Sequence, residues 1–190
     1  MTVAQWDGRS LAADLAYVKR VTGLSARRGV LAPLRTVTIA ALGDALAADE
    51  TMSGQLGYLT ARASFPTAEA KEWAWEELTA APTDDTPAHS NYEMNALATG
   101  FWSADDEATL APYIERYVSD VPAMRAWVGE DALARVASLA FPTALASEEL
   151  DVEARRMLER DLPASVRRAV VDQQALVREV LASRAAFVEG

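Results

Sequence analysis

Residues 163–187 read PASVRRAVVDQQALVREVLASRAAF, and their spacing decides the fold class. Val166, Val170, Val177, Val180 and Leu181 recur at helical intervals, which places them on one face of a helix of about 3.6 residues per turn. Arg167, Arg168, Asp172, Arg178 and Glu179 fall elsewhere on the same helix, so the segment is amphipathic. Clustered Val, Ile and Thr in alternating runs, the mark of half-buried strands, are missing here and along the rest of the chain. About a fifth of the 190 residues are alanine, the strongest helix former, which extends the helical reading to the whole sequence.

Working back toward the N-terminus, cap residues followed by apolar spacing mark further helices. Residues 147–160 form one. Residues 131–139, with Leu133, Val136 and Leu139, form another that ends at Pro142. Pro122 is read as opening a helix that reaches Trp127, and Pro112 as breaking or restarting the helix before Tyr113, Ile114, Tyr117 and Val118. Ser90 and Glu93 make a Ser-x-x-Glu capping box ahead of a helix running to Gly100, and Ser103 with Asp106 is a weaker version of that device. Thr67 caps a segment through Trp73, Trp75 and Leu78, and residues 82–87 are the clearest loop.

Ser53 is read as opening a helix through Leu56, Leu59 and Ala63, which must stop near Phe65 because Pro66 disfavours helical geometry in the residue before it. Pro33 leads into Leu34, Val37, Ala41, Leu42, Ala45 and Leu46; Ser10 caps a segment with Leu11, Leu15 and Val18 that Gly23 ends. About ten short helices with short connections fit either a compact bundle or a stack of hairpins. The stack is preferred: an all-α, HEAT/armadillo-like superhelix of antiparallel helical hairpins in a single domain over residues 1–190, its repeats degenerate because no strict period is visible.

Composition narrows the chemistry. With no Cys and the single His89, neither a disulfide framework nor the usual zinc ligand set can be assembled. A net charge of -10, from 28 acidic and 18 basic side chains, repels a phosphate backbone, so nucleic acid is not an expected partner. No run approaches the length of a membrane span, and residues 1–10 lack the order of a signal peptide, so the expectation is a soluble cytoplasmic protein without membrane contact.

Acid–base work would need paired carboxylates. The candidates are Asp105, Asp106 and Glu107, then Glu76 and Glu77, Glu130 and Asp131, and Glu148 and Glu149. All lie near helix starts or on polar faces, where the helix dipole favours acids without any catalytic role. His89 lies in the polar loop and is expected to be exposed. No Gly-x-Ser-x-Gly elbow occurs, and Gly54 and Gly57 do not make a phosphate loop. Trp73, Trp75, Phe101, Trp102, Tyr113, Tyr117 and Trp127 are read as core rather than as a ligand cage. Arginine is the informative base, with pairs at Arg27 and Arg28, Arg155 and Arg156, and Arg167 and Arg168; an inward-facing one could fork onto a peptide's C-terminal carboxylate, against the alternative of surface ion pairs. The residues thus supply no catalytic, cofactor-binding or metal-binding set.

From Asp49 onward the order of unusual residues resembles the C-terminal helical domain of the aminopeptidase N family, in its actinobacterial branch. Asp49, Thr51 and Gly54 match an Asp-x-Thr-x-x-Gly turn between helices, and Pro66, Thr67, Lys71 and Trp75 a Pro-Thr-x-x-x-Lys-x-x-x-Trp run. Gly100, Phe101 and Trp102 match a Gly-Phe-Trp. Pro112, Tyr113 and Tyr117 fall in a Leu-x-Pro-Tyr-x-x-x-Tyr, Phe141, Pro142 and Thr143 in a Phe-Pro-Ser/Thr stop, and Arg167, Arg168 and Arg178 resemble the final helix. The resemblance is clearest over residues 44–190 and poor before them.

The resemblance implies a bowl of helical hairpins over the active site of a zinc aminopeptidase, an enzyme that removes N-terminal residues from peptides. The family's His-Glu-x-x-His zinc motif and Gly-x-Met-Glu-Asn amine-binding loop are not in this sequence; residues 92–95, YEMN, lack the glycine and sit on a predicted helix. The implied zinc and catalysis therefore belong to a catalytic domain of the same, larger polypeptide. This chain would wall its chamber, limit which peptides enter, and contact peptide carboxylates through Arg168 or Arg178. A rival reading is an independent helical-repeat scaffold that binds another protein on a concave face. A stand-alone carboxylate hydrolase is the third.

Overall fold

The computed structural model describes residues 39–49, 51–103 and 107–188. Among them are nine α-helices and no strand: α1 (Ile39–Ala48), α2 (Met52–Ala63), α3 (Ala68–Thr79), α4 (Asn91–Phe101), α5 (Glu107–Leu110), α6 (Pro112–Ala123), α7 (Glu130–Leu139), α8 (Glu148–Leu158) and α9 (Ala164–Val188). Short 3-10 turns at Met124–Ala126 and Thr143–Leu145 follow α6 and α7. The segments predicted behind Ser10 and Pro33 up to residue 38, and Asp106 of the second capping pair, lie outside the described residues. No helix among the described residues is long and apolar enough to cross a membrane.

Local chemistry sets the helix starts. Thr67 accepts a hydrogen bond from the Ala70 N–H, Ser147 from that of Leu150, and Ser90 and Glu93 close the predicted capping box in both directions. Pro112 occupies the first turn of α6, where its missing N–H is no loss. Two expectations are corrected. The cap of α2 is Thr51, not Ser53, which lies inside the helix; the Thr51 hydroxyl is the one that meets the Gly54 N–H, at 3.1 Å. Pro122 does not open a helix. It falls in the last turn of α6, which then tightens into the 3-10 turn. Tolerance of that proline has a visible cause: it removes the N–H that would bond the Val118 carbonyl, and Nη1 of Arg160 donates to that oxygen instead, at 3.0 Å.

The two closest packings, α2 on α4 and α7 on α9, each skip one helix. α2 packs on α4, α4 on α7, and α7 on α9, while α3 lies against both α2 and α4, and α8 against α9. α2 and α4 run the same way, since the Thr60 hydroxyl donates to the Ala96 carbonyl and both C-terminal ends meet at Gly100. One apolar core unites the helices from α2 to α9, with Trp75, Leu97, Phe101, Leu133, Val136, Met157, Val166 and Val177 among its buried members. Val166, Val170 and Val177 lie in it as the spacing of α9 predicts, with Val180 and Leu181 half-buried beside it. Beyond them the last turns of α9 are exposed, Phe187 to 90%.

Candidate functional site

The sequence singled out Asp49, Thr51 and Gly54, and the structure shows what that trio does. Oδ1 of Asp49 accepts from the Thr51 hydroxyl at 2.6 Å and from the Thr51 N–H at 3.3 Å, while the Thr51 oxygen caps α2. A Cβ on Gly54 would overlap the Asp49 carbonyl oxygen and crowd its carboxylate. The glycine is there so that the α1–α2 turn can close on the helix.

Lys71 is the central polar residue of the N-terminal half. It is fully buried on α3, and its Nζ donates to the carbonyls of Ala63 and Phe101, both at 2.5 Å. Those residues are the last of α2 and α4, so one ammonium closes two helix C-termini, each carrying about half a unit of negative charge. Burial nevertheless pushes the amine down to about 7. Gly100, beside it, lets α4 approach α2: a Cβ there would overlap the Thr60 carbonyl oxygen.

Around Lys71 the matched aromatics form one cluster. The rings of Trp75, Phe101 and Tyr113 lie 4.8–5.4 Å apart, and the Lys71 ammonium sits 5.2 Å from the Phe101 ring. The polar ends of Trp75 and Tyr113 are both used. Trp75 donates to Asp120 at 2.8 Å, Tyr113 to Glu72 at 3.1 Å, and Arg116 pairs with Glu72 at 2.6 Å. Burial, followed by the Glu72 carboxylate, pushes the Tyr113 hydroxyl up to about 12. Tyr117, deeper, donates to the Ala137 carbonyl at 2.7 Å and stacks edge-on against Phe141; burial raises its hydroxyl too. Pro142 is buried behind it, Trp102 is half-buried against the core, and Pro66 and Pro112 are exposed at helix boundaries. These positions are therefore the frame of the fold, and none presents a reactive group to solvent.

A second polar chain runs over α2, α3 and α4. Nη1 of Arg62 donates to the Tyr58 hydroxyl at 2.9 Å, and its guanidinium lies 3.7 Å from the Trp73 ring centroid. The Trp73 indole donates to Glu77 at 3.0 Å, and Glu77 reaches His89 at 2.7 Å. His89 is thus not the exposed loop residue expected; it is half-buried between Glu77 and Glu93, the latter 3.7 Å from its other ring nitrogen. Nothing in the local sequence signals this, because Glu77 lies 12 residues away on another element.

In the C-terminal half the centre is Asp151 on α8, which sequence reading did not single out. Its Oδ1 accepts from Gln174 at 2.8 Å and from Arg178 at 2.7 Å, and its Oδ2 from Arg155 at 2.7 Å. Burial raises its carboxyl, but the hydrogen bonds and charges of Arg178 and Arg155 outweigh that, holding it below the ordinary range. Arg178 is accordingly an ion-pair partner with its side chain 54% exposed, whereas Arg168 is 81% exposed and pairs only with Asp172 one turn on, at 3.2 Å. Ten residues separate them, which is roughly 15 Å along the helix and about 80° around it, so α9 does not bring them together. Arg167 instead closes the end of α8 through the Leu158 and Arg160 carbonyls.

The carboxylate pairs stay apart. Glu76, Glu107, Glu130, Asp131, Glu148 and Glu149 are exposed, five of them in or next to a first helical turn, and Asp105 and Asp106 lie outside the described residues. A zinc site asks for three protein ligands. The described residues bring together no group of three His, Cys, Asp or Glu that could hold a metal, and with one His and no Cys the donor set does not fit zinc.

No family model matches the chain. Over 139 residues, 73% of the chain, it is 29% identical to a protein of Streptomyces lividans named aminopeptidase N. The aligned part covers 16% of that relative, so the chain spans about a sixth of its length.

Proposed function

We propose that this chain is the non-catalytic C-terminal helical domain of a zinc-dependent aminopeptidase N of the actinobacterial branch, a cytoplasmic enzyme. In this reading the helices form a HEAT-like array that covers the active-site chamber and limits which peptides reach the catalytic domain, carried elsewhere on the same polypeptide together with its zinc. The observation that carries it is the agreement between likeness and packing. The chain is similar to an aminopeptidase N over 73% of its length, and many residues of the resembling motifs, among them Asp49, Thr51, Gly54, Lys71, Trp75, Gly100, Phe101, Tyr113 and Tyr117, cap, pack or close approaches where helices meet. The alternate-helix packing and the parallel run of α2 and α4 support the hairpin array.

The chain's own part in catalysis would then be shape and contact. Arg168, whose partner is an exposed neighbour on its own helix, is freer to meet a peptide carboxylate than Arg178, which Asp151 holds. The test is the native product in source cells, detected with an antibody against this chain. A band several times larger, co-purifying with chelator-sensitive aminopeptidase activity, is the expected result. A band matching the 190-residue chain, without that activity, would overturn the reading in favour of a free-standing scaffold. In the full enzyme, an unchanged KM for peptides of several lengths in both Arg168→Ala and Arg178→Ala would remove the arginine contacts.

A further inference from the structure

Among the described arginines, Arg62 stands apart. Arg116, Arg125, Arg155, Arg156, Arg168 and Arg178 each lie within ion-pair distance of a carboxylate, Arg160, Arg167 and Arg184 donate to backbone carbonyls, and Arg135 stands exposed in solvent. Arg62 is half-buried and has no acidic partner among the described residues, although the chain carries 28 acids for 18 bases. Its Nε is buried without a hydrogen-bond partner, and Nη1 is bound only to the neutral Tyr58 hydroxyl. A guanidinium remains charged at any ordinary pH, so this one is a partly dehydrated cation short of acceptors.

It is also already ordered. The indole of Trp73 covers one face at 3.7 Å, the Tyr58 ring stands edge-on to that indole at 6.5 Å, and Trp73 is itself pinned by Glu77. Stacking fixes the plane of the fork before any ligand arrives, which removes most of the ordering entropy that a free arginine would lose on binding. From these contacts we infer that the Tyr58–Arg62–Trp73 cluster is a recognition point for a peptide carboxylate, from an Asp or Glu side chain or a C-terminus, with the two rings flanking the residue that carries it. The inference does not rest on the aminopeptidase reading. Glu77 lies on the same patch, but both its oxygens are engaged, by Trp73 and His89, so its repulsion of an incoming acid is reduced.

The test uses the 190-residue chain with nitrogen-15 label, following the arginine Nε–Hε resonances by NMR. Three short peptides are titrated to millimolar concentration: one with an internal Glu and an amidated C-terminus, one with Gln there and a free C-terminus, and one with Gln and an amidated C-terminus. The Arg62 resonance is expected to move with the first or the second and not with the third. Movement with the first assigns the site to acidic side chains, and movement with the second to chain ends. Arg62→Gln should weaken that binding at least about tenfold, and Arg62→Lys, which keeps the charge but loses the fork, by less. No movement with either acidic peptide, equal movement with all three, or undiminished affinity in Arg62→Gln would overturn the inference. The wild-type titration decides even where a variant folds poorly.

Discussion

Lys71 and Asp151 each hold a charged group under the surface, one among α2, α3 and α4 and the other where α8 meets α9, and their surroundings are opposites. Among the described residues Lys71 has no counter-ion; its partners are two helix-end carbonyls, and it is fully buried. Asp151 is met by three side chains, two of them arginines standing half in water. A buried cation balanced by backbone dipoles depends on a single side chain, whereas an anion ringed by mobile donors can lose one and keep the rest. The N-terminal half is therefore expected to be brittle at one position, and the C-terminal half to degrade in steps.

Substituting the hub is the severest way to test this. Lys71→Met keeps the stem but leaves the Ala63 and Phe101 carbonyls without a donor, and should cost about 3 kcal/mol in urea unfolding. The same residue sets a pH dependence. Its amine lies at about 7 in the fold and near its ordinary 10.5 when unfolded, so between those values the unfolded chain binds more protons and stability should rise with pH. Above 10 the raised Tyr113 hydroxyl reverses the trend, because there the folded chain holds the extra proton. Thermal midpoints from pH 7 to 10 should climb in the wild type and flatten in Lys71→Met; a flat wild-type profile would mean that the helix ends keep the ammonium charged.

Gly100→Ala comes next, at about 2 kcal/mol, since its methyl would drive α4 off the Thr60 carbonyl in the same half. Asp151→Asn should cost only ~1 kcal/mol, because its arginines are solvated and screened. Its depressed carboxyl adds stability above the ordinary aspartate value and loses it as pH falls through the folded one, so the Asn variant should be less sensitive to acid below about pH 4. A loss for Asp151→Asn equal to that for Lys71→Met would break the contrast between the halves. The smallest effect is a cap: Ser90→Ala should remove about 1 kcal/mol by opening the box with Glu93, read as a lowered thermal midpoint.

What the sequence made legible was local. Thr67, Ser90 and Ser147 each bond a backbone N–H three residues on, a relation that spacing alone reveals, and the face of α9 follows from its valines. Thr51 was open to the same logic, since Gly54 follows it by three; Ser53 competed because it too stands before apolar residues. Pro122 misled because proline is favoured at helix starts, and its acceptance in a last turn depends on an arginine 38 positions later. The site residues divide in the same way. That Trp75, Phe101, Tyr113 and Tyr117 pack inside follows from their size and apolarity. That Lys71 joins two helix ends, that Asp151 gathers Arg178, and that His89 meets Glu77 are facts of tertiary approach which no window of neighbouring residues contains.

The pairing of Pro122 with Arg160 has a consequence for how this sequence can drift. Each residue is acceptable because of the other: the proline leaves the Val118 oxygen open, and the guanidinium fills it. An ancestor with an amide at 122 would have had no call on the arginine, and one that lost the arginine first would have exposed a bare carbonyl at the end of α6. Among descendants, residues at 122 and 160 should therefore change together, leaving a statistical trace between the last turn of α6 and the bend that joins α8 to α9.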